Sequence, residues 1–323
     1  MMGRSRKWIE GIKPGQPVTR VAKRALRERL RDVWHYAALA SCNPEKDAEY
    51  VHQLRVSARR ARAVLEIFAN WLPRRNTRKM KKTLRRLRRS AGDARDLDVL
   101  YCRLTEIADA KRAHHLCSVI KQVATHRQKA QEPVIASYKK ARRQRFRKRS
   151  RALIKRVRRR NDESFAEAAR SALGPIVDDF FVAAASNTLN DKTLHRMRVS
   201  GKQVRYAMEL TAGAFDASFR EELYPTFVEV QEKLGEINDH VTAIATFTDW
   251  FDRSDDDESR TELSELIATE EKKLDQIREE FRVWWTVDRT TRLRRRFNEV
   301  LQIPATHSRD EIDCSIDRHN QPT

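Results

Sequence analysis

Two short stretches of the chain carry the same pattern of histidine and cationic residues. The first reads VHQLRVSARRAR from Val51, and the second reads LHRMRVSGKQVR from Leu194. In each, a histidine is followed by cationic side chains three, seven and ten positions later, which is the spacing of one helix face. The two cationic rows are His52, Arg55, Arg59 and Arg62, and His195, Arg198, Lys202 and Arg205.

Rows of this kind are suited to binding phosphate. Ten residues of helix span about 15 Å, arginine offers phosphate oxygens a planar fork of donors, and histidine donates more strongly when protonated. A charged row on a helix is often only a solvated face, and a histidine beside an apolar stripe is often structural. Because the second row keeps the cationic character and the spacing of the first, we interpret both as binding surfaces.

Apolar residues accompany each row at helical spacing, which indicates that one face of each helix is buried. These stripes are Val51, Leu54, Ala58, Ala61, Leu65 and Phe68, and Leu194, Met197, Gly201, Val204 and Met208. Glu66 and Glu209 lie four residues after the last arginine of each row. That spacing predicts that they orient Arg62 and Arg205 as ion pairs.

A second pair of stretches lies at the same separation along the chain. LRRSAGDARDLDVL starts at Leu87 and EKLGEINDHVTAI starts at Glu232. An offset of 143 positions relates four pairs of residues: His52 and His195, Arg55 and Arg198, Gly92 and Gly235, and Asp96 and Asp239. A single offset predicts an internal duplication, with repeats at residues 1–160 and 161–302 and a disordered tail at 303–323.

The composition favours an all-α fold. Glycine (8) and proline (9) are scarce, 35% of the residues are charged, and no segment alternates like a strand. Helices are predicted at about 17–41, 48–70, 74–91, 94–111, 113–131, 136–159, 162–186, 191–213, 217–234, 237–253, 256–285 and 288–302. Gly92 and Gly235 are read as helix stops.

Charge is distributed unevenly over the predicted repeats. Residues 1–160 contain 46 Lys and Arg against 13 Asp and Glu, a net charge of +33, whereas residues 161–323 carry −12. Such a field predicts a polyanionic partner, and nucleic acid, an acidic membrane surface and polyphosphate all fit it. No stretch approaches the ~20 apolar residues of a membrane span, and no secretory signal is visible. We therefore expect no membrane partner and a cytoplasmic location.

Patterns typical of enzymes are missing from the sequence. There is no G-x-x-x-x-G-K loop, G-x-S-x-G elbow or H-E-x-x-H helix, so we expect neither catalysis nor a cofactor. Asp93, Asp96 and Asp98 are close enough together to suggest a metal site, but a helix start and nearby arginines explain them at least as well. We assign Asp96 and Asp239 a structural or arginine-orienting role, with no metal.

The four stretches together resemble the CHAD family, the conserved histidine α-helical domains. The resemblance covers nearly the whole chain apart from its tails. It implies two pseudo-symmetric helical bundles around a basic central cavity, with inorganic polyphosphate as the ligand. The family's basic positions correspond to the two rows, His52, Arg55, Arg59, Arg62, His195, Arg198, Lys202 and Arg205.

The family's third helix often adds cations to the cavity. Here that helix is rich in them, and Lys82, Arg85, Arg86 and Arg89 join the predicted binding residues. Its counterpart, SFREELYPTFVEVQEKLG from Ser218, has only Arg220 and Lys233. The second repeat is therefore expected to contribute less charge.

These observations predict a non-catalytic, electrostatic polyphosphate-binding protein, with polyphosphate granules as a candidate location. The alternative is an RNA- or DNA-binding protein that uses the basic first half. Against it, aromatic residues are only 7% of the chain and none interleaves with the rows, Tyr206 being the nearest. A protein-interaction scaffold is a third, lesser option. The sequence leaves the oligomeric state open.

Overall fold

A computed structural model describes residues 6–42, 49–111, 117–158, 163–185 and 190–302, and these contain helices and no strand. The all-α prediction is confirmed. None of the described helices combines the length and apolar character needed to cross a bilayer. The α-helices are α1 (Val18–Cys42), α2 (Glu49–Ile67), α3 (Arg74–Ser90), α4 (Gly92–Lys111), α5 (Cys117–Lys129), α6 (Gln131–Arg143), α7 (Phe146–Lys155), α8 (Phe165–Ala184), α9 (Asp191–Thr211), α10 (Tyr224–Arg253), α11 (Asp257–Trp284) and α12 (Val287–Gln302).

Two of the predicted helix boundaries are wrong. The helix predicted at 136–159 is broken into α6 and α7 at Arg145, whose φ of 53° is left-handed. The helices predicted at 217–234 and 237–253 are instead a π-helical turn, Phe219–Leu223, followed by one long helix that runs through Gly235. A glycine costs a helix interior only about 1 kcal/mol, and the packing of α10 outweighs that cost.

The main hydrophobic core draws on both predicted repeats. Both apolar stripes are buried in it, including Leu54 of α2 and Val204 of α9, which are fully inaccessible. A smaller core joins α4 and α5 to α10 and α11 around Leu104, Phe247 and Leu263. The two predicted repeats therefore share both cores and do not form separate ones. The internal duplication stays a prediction. The predicted tail at 303–323 lies outside the described residues.

The segment before α1, residues 6–17, is here called the N-terminal strap. Its Trp8 ring packs edge-on against Tyr224 of α10, with centroids 4.8 Å apart. Arg29 of α1 donates to the carbonyl oxygens of Arg6 and Lys7 at 2.6 and 2.8 Å. The backbone nitrogen of Phe165, at the start of α8, donates to the carbonyl of Gln16 at 2.9 Å. The strap therefore connects α1 to helices of the second half.

The two helices that carry the cationic rows, α2 and α9, pack directly against each other. Between them, Arg60 Nε donates to Glu209 Oε2 at 2.6 Å, and both side chains are buried. Glu209 also accepts a hydrogen bond of 2.8 Å from the Tyr224 hydroxyl. Because an unpaired buried charge is strongly destabilising, this pair fixes the register of α2 against α9.

Candidate functional site: a cation-lined cleft

One cleft, with a volume of about 760 Å³, is lined by residues from both cationic rows. α2 and α9 each supply three basic side chains, and α3 supplies one. These seven are Arg55, Arg59, Arg62, Arg88, His195, Arg198 and Lys202. Six of the eight row residues thus share the cleft, together with one arginine that was not among the predicted site residues.

Arg55 is held in place by the junction between α3 and α4. Its Nη1 donates to the carbonyl oxygens of Gly92 at 2.6 Å and Ala91 at 3.1 Å, and lies 3.4 Å from Asp96 Oδ1. Burial lowers the pKa of the Arg55 guanidinium, and the charge of Asp96 opposes that shift. Arg55 therefore closes the end of α3 as well as lining the cleft.

Arg59 and Arg62 are the next two cations of the α2 row. The Arg59 side chain makes no hydrogen bond or ion pair with any described residue, so its donors are available to a ligand. Arg62 Nε donates to Glu66 Oε1 at 2.8 Å, which is the predicted pair, and Lys81 Nζ of α3 lies 3.8 Å from the same oxygen. Glu66 thereby links α2 to α3.

Arg88 is the cleft residue that sequence reasoning did not select. Burial lowers the pKa of its guanidinium, and the neighbouring charges of Arg59, Arg55, Arg62 and Arg89 lower it further. All of the neighbouring charges that shift it are positive. Arg88 therefore lies among positive charges, a local field that favours a polyanion. Elsewhere in the cleft Glu66 is paired with Arg62.

The α9 row approaches the same space from the other helix. Burial lowers the pKa of Arg198, opposed mainly by Asp239, and its Nε has no hydrogen-bond partner among the described residues. Lys202 is more strongly affected: burial, followed by the charges of Arg198 and Arg59, lowers its pKa to about 6. His195 is exposed at the edge of the cleft.

Two residues of the rows do not line the cleft. Arg205 turns towards the core, where its Nε lies 3.3 Å from the Tyr224 hydroxyl and 3.5 Å from Glu209 Oε1, the predicted partner. His52 is half-buried, and burial together with the charge of Arg95 lowers its pKa. His52 is the first residue of the α2 row, and Arg205 is the last residue of the α9 row.

The four predicted residues of α3 also lie outside the cleft. Lys82, Arg85 and Arg89 are exposed, and Arg86 Nη2 donates to Gln144 Oε1 at 3.2 Å, towards α6 and α7. Leu84 and Leu87 anchor α3 in the core, and this orientation turns Arg88 into the cleft instead.

Comparison with known proteins agrees with the geometry. The model of the CHAD domain matches residues 24–248, a range that contains all seven basic residues of the cleft. The chain belongs to the CHAD domain family.

The crystal structure of the CHAD domain from the plant Ricinus communis is 22% identical with a TM-score of 0.66, covering 86% of this chain and 95% of that one. PptA from Streptomyces chartreusis is 17% identical with a TM-score of 0.66, covering 84% and 99%. No curated protein matches the sequence.

Three aspartates of this CHAD domain, Asp96, Asp98 and Asp239, lie near arginine side chains. Asp96 and Asp239 line a small cavity of about 30 Å³ between α4 and α10. Burial raises the pKa of Asp96, while Arg55 and Arg198 act against that rise. Asp98 is buried and paired with Arg127 of α5. Within the described residues no three metal-ligating side chains come together. Asp96 contacts Arg55, whereas Asp239 acts on Arg198 through its charge, and the arginine-orienting role of both residues stays a prediction.

Proposed function

We propose that this CHAD domain binds inorganic polyphosphate in the cleft, electrostatically and without catalysis. One observation carries the proposal: five arginines from three helices, together with His195 and Lys202, converge on a single cleft, and the Arg59 side chain has no hydrogen bond or ion pair within the described residues. A polymer with a charge on every unit fits such a surface. Bound phosphate would also offset the neighbouring positive charges that lower the pKa values of Arg88 and Lys202.

The experiment compares two double variants that lose the same charge. Arg59→Gln with Arg198→Gln removes two cleft cations, whereas Arg142→Gln with Arg143→Gln removes two exposed cations of α6. We expect the cleft variant to weaken long-chain polyphosphate binding about tenfold or more, as charge-assisted contacts to phosphate are lost. Each lost contact should also reduce the salt dependence by about 0.7 log units per decade, by analogy with single-stranded nucleic acids. Equal losses in both variants would mean that the ligand responds only to total charge.

Nucleic acid is the second candidate, because of the outer surface formed by α6 and α7. Cations there that have no ion pair within the described residues include Lys139, Lys140, Arg142, Arg143, Arg145, Arg147 and Lys148. Competition between polyphosphate and RNA, at equal phosphate and at two salt concentrations, separates the candidates. RNA winning at both concentrations would exclude the first.

The absence of catalysis is part of the same proposal. The cleft has cations that stabilise phosphate, and the one serine of its described lining, Ser171, makes no side-chain hydrogen bond to His195 or Glu66 that would activate it as a nucleophile. Incubation with polyphosphate and divalent metal should release no phosphate, and robust turnover would contradict this. A location at cytoplasmic polyphosphate granules is likewise proposed, and fluorescence microscopy of a tagged chain in granule-forming cells tests it.

A further inference from the structure

The cleft contains a second, chemically different surface besides its cations. Six residues from α2, α8, α9 and the turn after α2 form this surface, here called the apolar wall. They are Ile67, Trp71, Ala172, Pro175, Ile176 and Val199. The same cleft thus presents both guanidinium groups and hydrocarbon to whatever enters it.

Part of the apolar wall is open to water. Val199 is 44% exposed, Pro175 is exposed and Ile176 is partly exposed. Covering such hydrocarbon is favourable for a ligand that has an apolar or aromatic part. Inorganic polyphosphate has no such part, because every unit of the polymer is charged and hydrated. The polymer therefore accounts for the cations and leaves the apolar wall without a role.

Further residues of the cleft suit a base and a sugar. Tyr206, one helical turn after Lys202, presents an aromatic ring, and rings of this kind stack on nucleobases. Asn70, Ser171 and Gln203 add neutral hydrogen-bonding groups that have no partner within the described residues. The volume of about 760 Å³ lies within the range typical of small-molecule sites.

We propose that the cleft binds nucleoside polyphosphates, with the phosphates on the cationic side chains and the base and sugar against the apolar wall. The inference rests on the proposed function, since it uses the same cations for the phosphates. It adds a class of ligand in which one molecule satisfies both surfaces. No bond is formed or broken in this binding step.

The test compares two ligands that share a triphosphate. Affinities of the full chain for ATP and for inorganic tripolyphosphate are measured by calorimetry in the same buffer, without metal. We expect ATP to bind about tenfold more tightly or better, the scale of one stacked base. Equal affinities, or tighter binding of tripolyphosphate, would overturn the inference.

Variants assign any difference to the apolar wall. Val199→Ser with Ile176→Ser should weaken ATP binding about fivefold, as expected for lost apolar contacts, and change tripolyphosphate binding by less than about twofold. The matched control is Val182→Ser, a valine of α8 that is 74% exposed and lies outside the cleft. If the double variant does not fold, Val199→Ser alone replaces it, because that side chain is already substantially exposed.

The outcomes separate this inference from the proposed function. If long-chain polyphosphate binds but ATP does not, the inference fails and the proposed function stands. If neither binds, the proposed function fails as well. If the apolar-wall variant weakens RNA binding but leaves ATP binding unchanged, the wall serves a nucleic acid and the inference is wrong.

Discussion

Arg88 of α3 and Gln231 of α10 stand 143 positions apart, the offset that relates the two cationic rows, yet their environments differ. Arg88 is half-buried at the cleft among other cations. Gln231 is only 4% exposed and packs against Gly201 of α9, where a methyl group would clash with its amide. One position provides charge for a ligand, and the other brings α10 close to α9.

This difference shows that a repeated sequence pattern need not give a symmetric site. Cations reach the cleft from α2, α3 and α9, whereas no described residue of α10 lines it. On the remaining side, α8 contributes Ala168, Ala172, Pro175 and Ile176. The sequence expectation that the second half adds less charge agrees with this lining.

The largest effect is expected from placing the α3 residue at the α10 position. Gln231→Arg should lower the free energy of unfolding by about 3 to 5 kcal/mol, because a guanidinium would be buried without a carboxylate. Urea denaturation measures it. Gln231→Met is the control: the amide atoms of Gln231 lack hydrogen-bond partners within the described residues, so losing them should cost little. An arginine that is tolerated there would mean that α10 can turn towards the cleft.

Lys202 tests how strongly the cations repel one another. Its pKa is about 6 in the folded protein, against 10.5 for the free side chain, through burial and the charges of Arg198, Arg59 and Arg55, with Asp239 opposing. Between these values the unfolded chain binds more protons, so stability rises with pH across that window. In the Lys202→Met variant, the free energy of unfolding should depend less steeply on pH in this window, by the slope that corresponds to about one proton per molecule. Urea midpoints at several pH values measure it, and parallel curves for both proteins would contradict the expectation.

Replacing Arg88 itself should affect binding more than folding. Arg88→Gln should weaken long-chain polyphosphate binding about tenfold, the scale of one charge-assisted contact, while thermal stability holds or rises because neighbouring cations repel less. Arg89→Gln, the adjacent exposed residue, is the matched control and should change affinity less than about twofold. Similar losses in both variants would mean that the two flanks of α3 are equivalent to the ligand.

The smallest effect is expected on the outer side of α3. Lys82→Gln with Arg85→Gln should change polyphosphate affinity less than about twofold near physiological salt, where the Debye length is about 8 Å. The effect should grow at 0.01 M salt, where the length is about 30 Å. Titrations at both salt concentrations measure it. A large loss at the higher salt would place the polymer on the outer face of α3.

Most helices of this fold could be predicted from periodicity, because apolar stripes such as Val51 to Phe68 are buried as expected. The break at Arg145 could not, since it occurs at an arginine with a left-handed φ and without glycine or proline. The predicted helix stop at Gly235 was wrong, because α10 continues through this glycine and its packing outweighs the cost of glycine in a helix. Local sequence patterns record neither the left-handed backbone at Arg145 nor the packing of α10.

The candidate site shows the same limit. Regular spacing identified Arg55, Arg59 and Arg198, which line the cleft. On α3, cations occupy so many positions that periodicity does not distinguish the flank of Arg88 from that of Arg86. Arg60 directly follows Arg59 but does not belong to the α2 row. Its role depends on its ion pair with Glu209, which lies 149 residues away along the chain. Such pairings become visible only when the helices are assembled.

The N-terminal strap has a consequence for the width of the cleft. Because the strap contacts α1, α8 and α10, it connects the two halves of the chain that carry the cationic rows. We expect the width of the cleft to be fixed before a ligand binds. The conformational entropy lost on binding is then lost mainly by a flexible ligand and not by the protein. We therefore expect thin, flexible polyanions to enter the cleft more readily than bulky, rigid ones.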